Sequence, residues 1–212
     1  IAEKDPKYKA YIPYYLTQIF FAQRRYDELI AYAAPLVGTS RIRNQKEIKQ
    51  LLGQAYFEKG NYQQARPLLE EYARGNRRMQ EEELYQLGFT QYKLGDFPAA
   101  KKSFEELATQ NSLVGQSASY YLGDLELRAG DGEGARIAFG TASRMNFDAA
   151  LQEEALFNYA KLSYELNYPA DAIAAIEKIQ PSSRYYLQGQ ELLGDVFNTT
   201  QNYARALEIL ER

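Results

Sequence analysis

The sequence predicts an all-α protein built from about six tandem helical hairpins, and two regularities carry this prediction. A small residue, here called the anchor, recurs near the middle of an apolar segment at Thr17, Gly53, Gly88, Gly123, Ala160 and Gly194, with separations of 36, 35, 35, 37 and 34 residues. Seven positions after each anchor stands a residue that favours a turn: Arg24, Gly60, Gly95, Gly130, Asn167 and Gln201. A regular period of this size indicates a repeat protein in which each repeat is one supersecondary unit.

Each repeat has the pattern of two helices joined at the turn. Twelve residues after the anchors come Leu29, Ala65, Ala100, Ala135, Ala172 and Ala206, and four residues further come Ala33, Leu69, Phe104, Phe139, Ile176 and Leu210. A spacing of four places both positions on one face of the second helix. Glycine inside a helix costs about 1 kcal/mol relative to alanine. Four glycine anchors in phase therefore indicate that the two helices of a hairpin cross closely there.

The predicted helices follow in order from these positions. First helices are expected near residues 11–24, 44–59, 81–94, 115–129, 148–166 and 183–200, and second helices near 26–37, 62–74, 97–109, 133–144, 170–178 and 204–212. Pro98 and Pro169 fall at the starts of second helices, where proline is tolerated. No connector has a composition that marks a second domain. Residues 1–212 are therefore expected to form a single solenoid, which we interpret as a piece of a longer repeat protein.

The motif residues resemble those of the tetratricopeptide (TPR) family. The resemblance rests on Leu52, Gly53, Tyr56, Gly60, Asn61, Tyr62 and Ala65, and on Leu87, Gly88, Gly95, Asp96, Phe97 and Ala100, and its register covers almost the whole chain. It implies a right-handed superhelical solenoid of about six TPR hairpins. Gln91, Glu126 and Ser163 depart from the family pattern, which has an aromatic residue three positions after the anchor.

The resemblance also implies a concave groove lined by the first helices. The positions that face it by register give the candidate partner-binding residues Tyr14, Phe21, Phe57, Tyr85, Phe89, Tyr92, Tyr120, Asp124, Phe157, Lys161 and Tyr164. Most are aromatic, and aromatic side chains offer a large contact area at low entropic cost. The alternative interpretation is that these rings pack between neighbouring hairpins, where the family pattern also favours them.

Composition argues against catalysis. The chain has no Cys and no His among its 212 residues, which removes thiolate nucleophiles, imidazole bases and the usual zinc ligands. We therefore expect no enzyme activity, no metal site and no cofactor. No stretch approaches the roughly 20 apolar residues that a membrane-spanning helix requires.

Charge is distributed unevenly along the chain. Residues 1–80 contain 14 Lys/Arg and 8 Asp/Glu, whereas residues 81–212 contain 11 and 20. The basic excess is concentrated on two connectors of the first two repeats, at Arg41, Arg43, Lys46, Lys49, Arg74, Arg77 and Arg78. Because both connectors are expected at one edge of the stack, these charges could converge on an anionic partner. Without interleaved aromatic residues or a nucleic-acid motif, however, DNA or RNA is not the expected ligand.

Two function hypotheses follow. In the first, the chain is a scaffold that binds a protein or peptide segment in the aromatic groove. In the second, it is a structural spacer or assembly element that interacts through its ends and edges. The run from Tyr120 to Leu125 is similar to first helices of TPR proteins of bacterial cell-envelope assembly, which favours a periplasmic over a cytoplasmic location.

Overall fold

The computed structural model describes residues 9–76 and 78–210, and the chain divides into two compact units at Ser103/Phe104. Unit 1 contains α1 (Ile12–Ala22), α2 (Tyr26–Ala33) followed by a 3-10 turn (Ala34–Leu36), α3 (Gln45–Glu58), α4 (Tyr62–Arg74) and α5 (Glu81–Lys93). The boundary between the units falls within α6 (Phe97–Leu107). Unit 2 contains α7 (Leu113–Arg128), α8 (Gly132–Arg144), α9 (Ala149–Glu165), α10 (Pro169–Ile176), α11 (Tyr186–Thr199) and α12 (Tyr203–Leu210).

The predicted all-α class and the succession of six hairpins are confirmed, since all regular structure in the described residues is helical. Helix boundaries differ from the prediction by a few residues. The largest change is in α2, expected to reach residue 37 but ending at Ala33. Pro35 lies in the 3-10 turn that follows, and a proline has no N–H with which to continue an α-helix. The expectation of one solenoid over residues 1–212 stays a prediction.

The six predicted turn formers all adopt the left-handed conformation. Their φ angles are 56° at Arg24, 70° at Gly60, 79° at Gly95, 79° at Gly130, 64° at Asn167 and 61° at Gln201. At each turn the next residue's N–H donates to the carbonyl oxygen five residues before it, as from Asn61 to Tyr56 at 2.8 Å. This is the Schellman arrangement, which satisfies carbonyl groups at the end of a helix. Three of the six residues are not glycine, so the hairpin geometry imposes this conformation where glycine is absent.

The predicted helix-crossing positions are buried. The residues twelve after the anchors are fully inaccessible to solvent in five repeats, and Ala206 in the sixth is 8% exposed. A Cβ atom on Gly53 would lie 3.0 Å from the Leu68 Cβ, and one on Gly123 would lie 2.9 Å from the Phe139 ring. At Gly194 no described atom lies within 4 Å of that position. Its partner by register, Leu210, has a side chain outside the described part of the chain.

A buried glutamine fixes the connector between α8 and α9. Gln116 on α7 is fully buried, and its Nε2 donates to the carbonyl oxygens of Met145 at 2.9 Å and Asp148 at 3.1 Å. Its Oε1 accepts from the Asp148 N–H at 2.8 Å. The Asp148 carboxylate in turn caps α9 by accepting from the Leu151 N–H. One side chain thus satisfies the backbone of the connector and sets where the next first helix begins.

Within residues 9–76 and 78–210, none of the helices has the length and apolar content needed to span a bilayer.

Candidate functional site

An aromatic cluster in unit 1 contains four of the predicted groove residues. We define this unit 1 aromatic cluster as Phe57, Tyr62, Tyr85, Phe89 and Tyr92, which come from α3, α4 and α5. Phe89 is at its centre, with ring centroids 5.7 Å from Tyr85, 5.9 Å from Phe57, 5.9 Å from Tyr62 and 6.2 Å from Tyr92. All five side chains are partly exposed. The cluster is therefore a continuous aromatic surface rather than a closed core.

The register of the repeat explains this arrangement. Tyr85, Phe89 and Tyr92 lie three before, one after and four after the anchor of α5, so they share one face of that helix. Phe57 holds the corresponding last position on α3 and reaches across to Phe89. The Lys93 Nζ lies 5.2 Å from the centroid of the Phe89 ring, a cation–π contact at the margin of the surface.

Tyr62 is a cluster member that our sequence interpretation missed. Its ring lies 5.9 Å from both Phe57 and Phe89, although it belongs to the second helix. Burial raises the pKa of its phenol, and the nearby Glu58 carboxylate adds to the shift. The repeat pattern could have indicated Tyr62, which stands nine positions after its anchor. Aromatic residues hold the same position in three other repeats, at Tyr26, Phe97 and Tyr203. Phe97 likewise packs 6.0 Å from Tyr92.

The predicted residues of α1 pack separately from this cluster. Phe21 makes an edge contact with Tyr26 at 5.7 Å, and Tyr14 lies 5.5 Å from Tyr15 and accepts a hydrogen bond from Gln18. Both Tyr14 and Phe21 also pack on the core formed by α2 and α3. They therefore support the hairpin as well as presenting a partly exposed face.

In unit 2, Tyr120 is held on two sides. Its ring lies 5.4 Å from buried Phe139, and its hydroxyl donates to Glu154 on α9 at 2.6 Å. Burial, followed by the hydrogen bond to the Glu154 carboxylate, raises the pKa of the Tyr120 phenol well above its usual value. Tyr120 thus links α7 to α9, which is the packing role that the alternative interpretation foresaw.

Phe157 belongs to a neighbouring stack. Its ring lies parallel to that of Tyr185 with centroids 5.1 Å apart, and the Arg184 guanidinium lies 4.7 Å from the Tyr185 centroid. Arg184 also pairs with Glu154 at 2.6 Å. Tyr120, Tyr185 and Arg184 therefore meet around the Glu154 carboxylate, and Phe157 stacks on Tyr185. Tyr185 and Arg184 lie in a connector, where the repeat register gave no indication of them.

The remaining predicted residues also have partners within unit 2. Asp124 pairs with Arg128 on the same helix at 2.5 Å, and Lys161 lies 3.9 Å from Glu165 one turn later. Tyr164 shares a hydrogen bond of 3.0 Å with Thr199 on α11. The structure thus brings together Phe57, Tyr85, Phe89 and Tyr92 in unit 1, and connects Tyr120 with Phe157 through Glu154 and Tyr185 in unit 2.

Comparison with known proteins agrees with this architecture. Two TPR family models match the sequence, at residues 47–74 and 85–150. Residues 47–74 and 85–150 therefore contain tetratricopeptide repeats. No curated protein matches it at a significant level.

Solved TPR structures show the same fold. The C-terminal part of a TPR repeat-containing protein from Cytophaga hutchinsonii aligns with a TM-score of 0.66 at 13% identity, over 92% of this chain and 78% of that chain. YrrB, a TPR protein with an unusual peptide-binding site, aligns with a TM-score of 0.66 at 16% identity, over 86% and 92%. MamA from Desulfovibrio magneticus aligns with a TM-score of 0.56 at 20% identity, over 79% and 92%.

Proposed function

We propose that this TPR protein is an interaction scaffold that binds a segment of a partner protein on the aromatic surface of its first helices. TPR proteins typically act as scaffolds for protein interactions, and the observation that carries the finer proposal is the unit 1 aromatic cluster. Partly exposed rings around Phe89 offer a broad apolar surface with phenol groups at its margin. Tyrosine-rich surfaces of this kind are enriched at protein-binding hot spots.

The chemistry of the cluster favours an apolar partner segment. Phe57 and Phe89 have no polar atoms in their side chains, whereas Tyr62, Tyr85 and Tyr92 each carry one hydroxyl. Apolar or aromatic side chains of the partner would pack on the rings, and its backbone groups would meet the hydroxyls. The absence of Cys and His supports a binding role rather than an enzymatic one, and both matching family models describe tetratricopeptide repeats. The Tyr120–Leu125 run is similar to first helices of TPR proteins of bacterial cell-envelope assembly, which supports placing this role in a bacterial envelope.

The proposal is tested with peptides selected by the protein itself. A random peptide library displayed on phage is panned against the immobilised chain, and the enriched peptides are synthesised and titrated by calorimetry. Phe89→Ala and the pair Tyr85→Ala/Tyr92→Ala should each weaken binding by roughly 30-fold, the effect of removing a hot-spot residue worth about 2 kcal/mol.

Tyr15→Ala is the matched control, because Tyr15 is an aromatic residue of unit 1 that is 57% exposed and lies on α1, outside the cluster. It should leave the affinity unchanged. Thermal unfolding followed by circular dichroism verifies that each variant is folded. If no peptide is enriched, or if the cluster variants bind the selected peptides as tightly as the wild type, the proposal is wrong.

A second candidate function is assembly through the end helices. Tyr15 and Ile19 on α1 are 57% and 48% exposed, and Tyr203 and Leu207 on α12 are each 58% exposed. Each pair is spaced by four residues and so forms a small apolar stripe. In this case sedimentation velocity should show concentration-dependent association that Tyr15→Glu/Ile19→Glu abolishes. A monomer at all concentrations would contradict it.

A further inference from the structure

We propose that a second binding surface, separate from the aromatic cluster, lies at the edge of unit 1 where α3 begins and α4 ends, and that it accepts an acidic polypeptide segment. We call this surface the basic edge and define it by Arg41, Arg43, Arg74 and Arg78. The first two lie on the connector between α2 and α3, and the other two flank the C-terminal end of α4. All four side chains are exposed.

The first connector is held in place by one glutamine. The Gln45 Nε2 donates to the carbonyl oxygens of Leu36 at 3.0 Å and Thr39 at 3.2 Å, and its Oε1 accepts from the Gly38 N–H at 3.1 Å. The Arg43 N–H donates to the Ala10 carbonyl at 3.0 Å. Arg41 and Arg43 are therefore presented from an ordered backbone, which reduces the entropy lost when they bind a ligand.

A lysine brings the two connectors together. The Lys46 Nζ, in the first turn of α3, donates to the Gly75 carbonyl at 3.0 Å and to the Asn76 Oδ1 at 2.9 Å. Lys46 follows Arg43 by three residues, and Gly75 directly follows Arg74. The convergence of the two basic connectors that the sequence suggested is therefore present in unit 1. Arg77, which the sequence also placed in this cluster, lies outside the described residues.

At this edge the two lysines are bonded to other groups of the protein, whereas the four arginine side chains can bind a ligand. Lys46 caps the end of α4, and Lys49 pairs with Glu71 at 2.8 Å. In contrast, the side chains of Arg41, Arg43, Arg74 and Arg78 have no acidic or hydrogen-bonding partner among residues 9–76 and 78–210. Arginine has a planar guanidinium that binds a carboxylate through two parallel hydrogen bonds, whereas lysine acts as a point charge. Four unpaired arginine side chains on one edge are therefore suited to binding the separate carboxylate groups of a ligand.

The surroundings favour an acidic polypeptide over a nucleic acid. Glu47, Glu81 and Glu82 lie in the first turns of α3 and α5, beside the same connectors, and would repel a continuous phosphate backbone. Tyr72, near the end of α4, is half-buried, lies beneath Lys46 and donates its hydroxyl to Glu83. The Tyr72 ring is therefore not available to stack with a base. Proteins that bind single-stranded nucleic acids use such stacking. A short acidic segment can place single carboxylates at the arginines and avoid the glutamates.

The test uses the full chain and a fluorescein-labelled hexaglutamate peptide, with binding measured by fluorescence anisotropy at low and high salt. The variant Arg41→Gln/Arg43→Gln/Arg74→Gln/Arg78→Gln should lose at least about fivefold in affinity, since each exposed ion pair contributes roughly a 1.5- to 5-fold factor. The corresponding four Arg→Lys changes keep the charge and should lose less. The wild-type affinity should fall as salt rises.

A matched control removes four exposed cations elsewhere, in Arg24→Gln/Lys102→Gln/Arg144→Gln/Lys178→Gln, and should stay within about twofold of wild type. Phe89→Ala should also leave hexaglutamate binding unchanged. The proposal for the basic edge is therefore tested independently of the proposal for the aromatic cluster. Four results would each overturn the proposal: no binding by the wild type, an unchanged affinity in the basic-edge variant, an equal loss in the charge control, or a loss in Phe89→Ala. Tighter, arginine-dependent binding of a short DNA duplex or of phosphatidylserine vesicles would likewise overturn it and assign the edge to those ligands.

Discussion

Replacing Gly123 by alanine tests the packing account of the anchors. A Cβ atom at this position would lie 2.9 Å from the Cδ1, Cδ2 and Cε1 atoms of the Phe139 ring, closer than carbon atoms can pack. The ring cannot yield easily. Phe139 is 2% exposed, and on another side it contacts Tyr120, which is itself bonded to Glu154. The added methyl group must therefore displace buried, tethered groups.

Two opposing terms set the size of the effect. Overpacking a core typically costs about 1–3 kcal/mol. Alanine gains about 1 kcal/mol over glycine in a helix interior. We therefore expect Gly123→Ala to lower the free energy of unfolding by about 0–2 kcal/mol. Urea titration followed by helical circular dichroism measures this change.

Gly132→Ala is the control, because its Cβ would lie at an ordinary contact distance of 3.5 Å from Leu166. Gly132 opens α8, so alanine there should be neutral or stabilising by up to about 1 kcal/mol. Phe139→Leu should relieve the strain of Gly123→Ala, which a double-mutant cycle would reveal as a favourable coupling energy. The reasoning is refuted if Gly123→Ala stabilises the protein as much as Gly132→Ala does and shows no coupling to Phe139.

Two further predictions concern polar groups in unit 2. Gln116→Leu should lower the free energy of unfolding by about 2–4 kcal/mol, because it leaves several backbone groups of the α8–α9 connector without partners. Gln152→Leu, which removes a single bond to the Ser143 carbonyl, should cost about 1 kcal/mol, and similar losses for the two in urea titrations would contradict the account. The raised pKa of Tyr120 predicts a stability contribution that is fully present below about pH 10 and is lost as pH rises above the unfolded-state value. Tyr120→Phe should therefore flatten the alkaline decline in melting temperature, and an identical decline in the two proteins would argue against it.

The positions of the turns were predictable because they depend on local chemistry. Gly60, Gly95 and Gly130 can adopt a positive φ without strain. Arg24, Asn167 and Gln201 were found only because the repeat register placed them seven residues after an anchor. The period of the repeat therefore located the three turns that the conformational preferences of their residues did not indicate.

The aromatic cluster was predictable in part. Register identified Phe57, Tyr85, Phe89 and Tyr92, since positions on one helical face follow from a period of 3.6 residues. It did not identify Tyr62, whose contact with Phe89 depends on how α4 approaches α5. Nor did register indicate that the Tyr120 hydroxyl would bond to Glu154 on α9.

The sequence by itself therefore determined the repeat, its helices and turns, and the helical face that each side chain occupies, because these follow from periodicity and from local backbone preferences. Only the tertiary structure decided which cations remain unpaired and which rings meet. The Lys46 side chain is bonded to a carbonyl group 29 residues further along the chain, whereas the Arg43 side chain has no partner in the described part of the chain. Such contacts depend on the packing of whole helices against each other, and a residue's type or spacing in the sequence does not specify them.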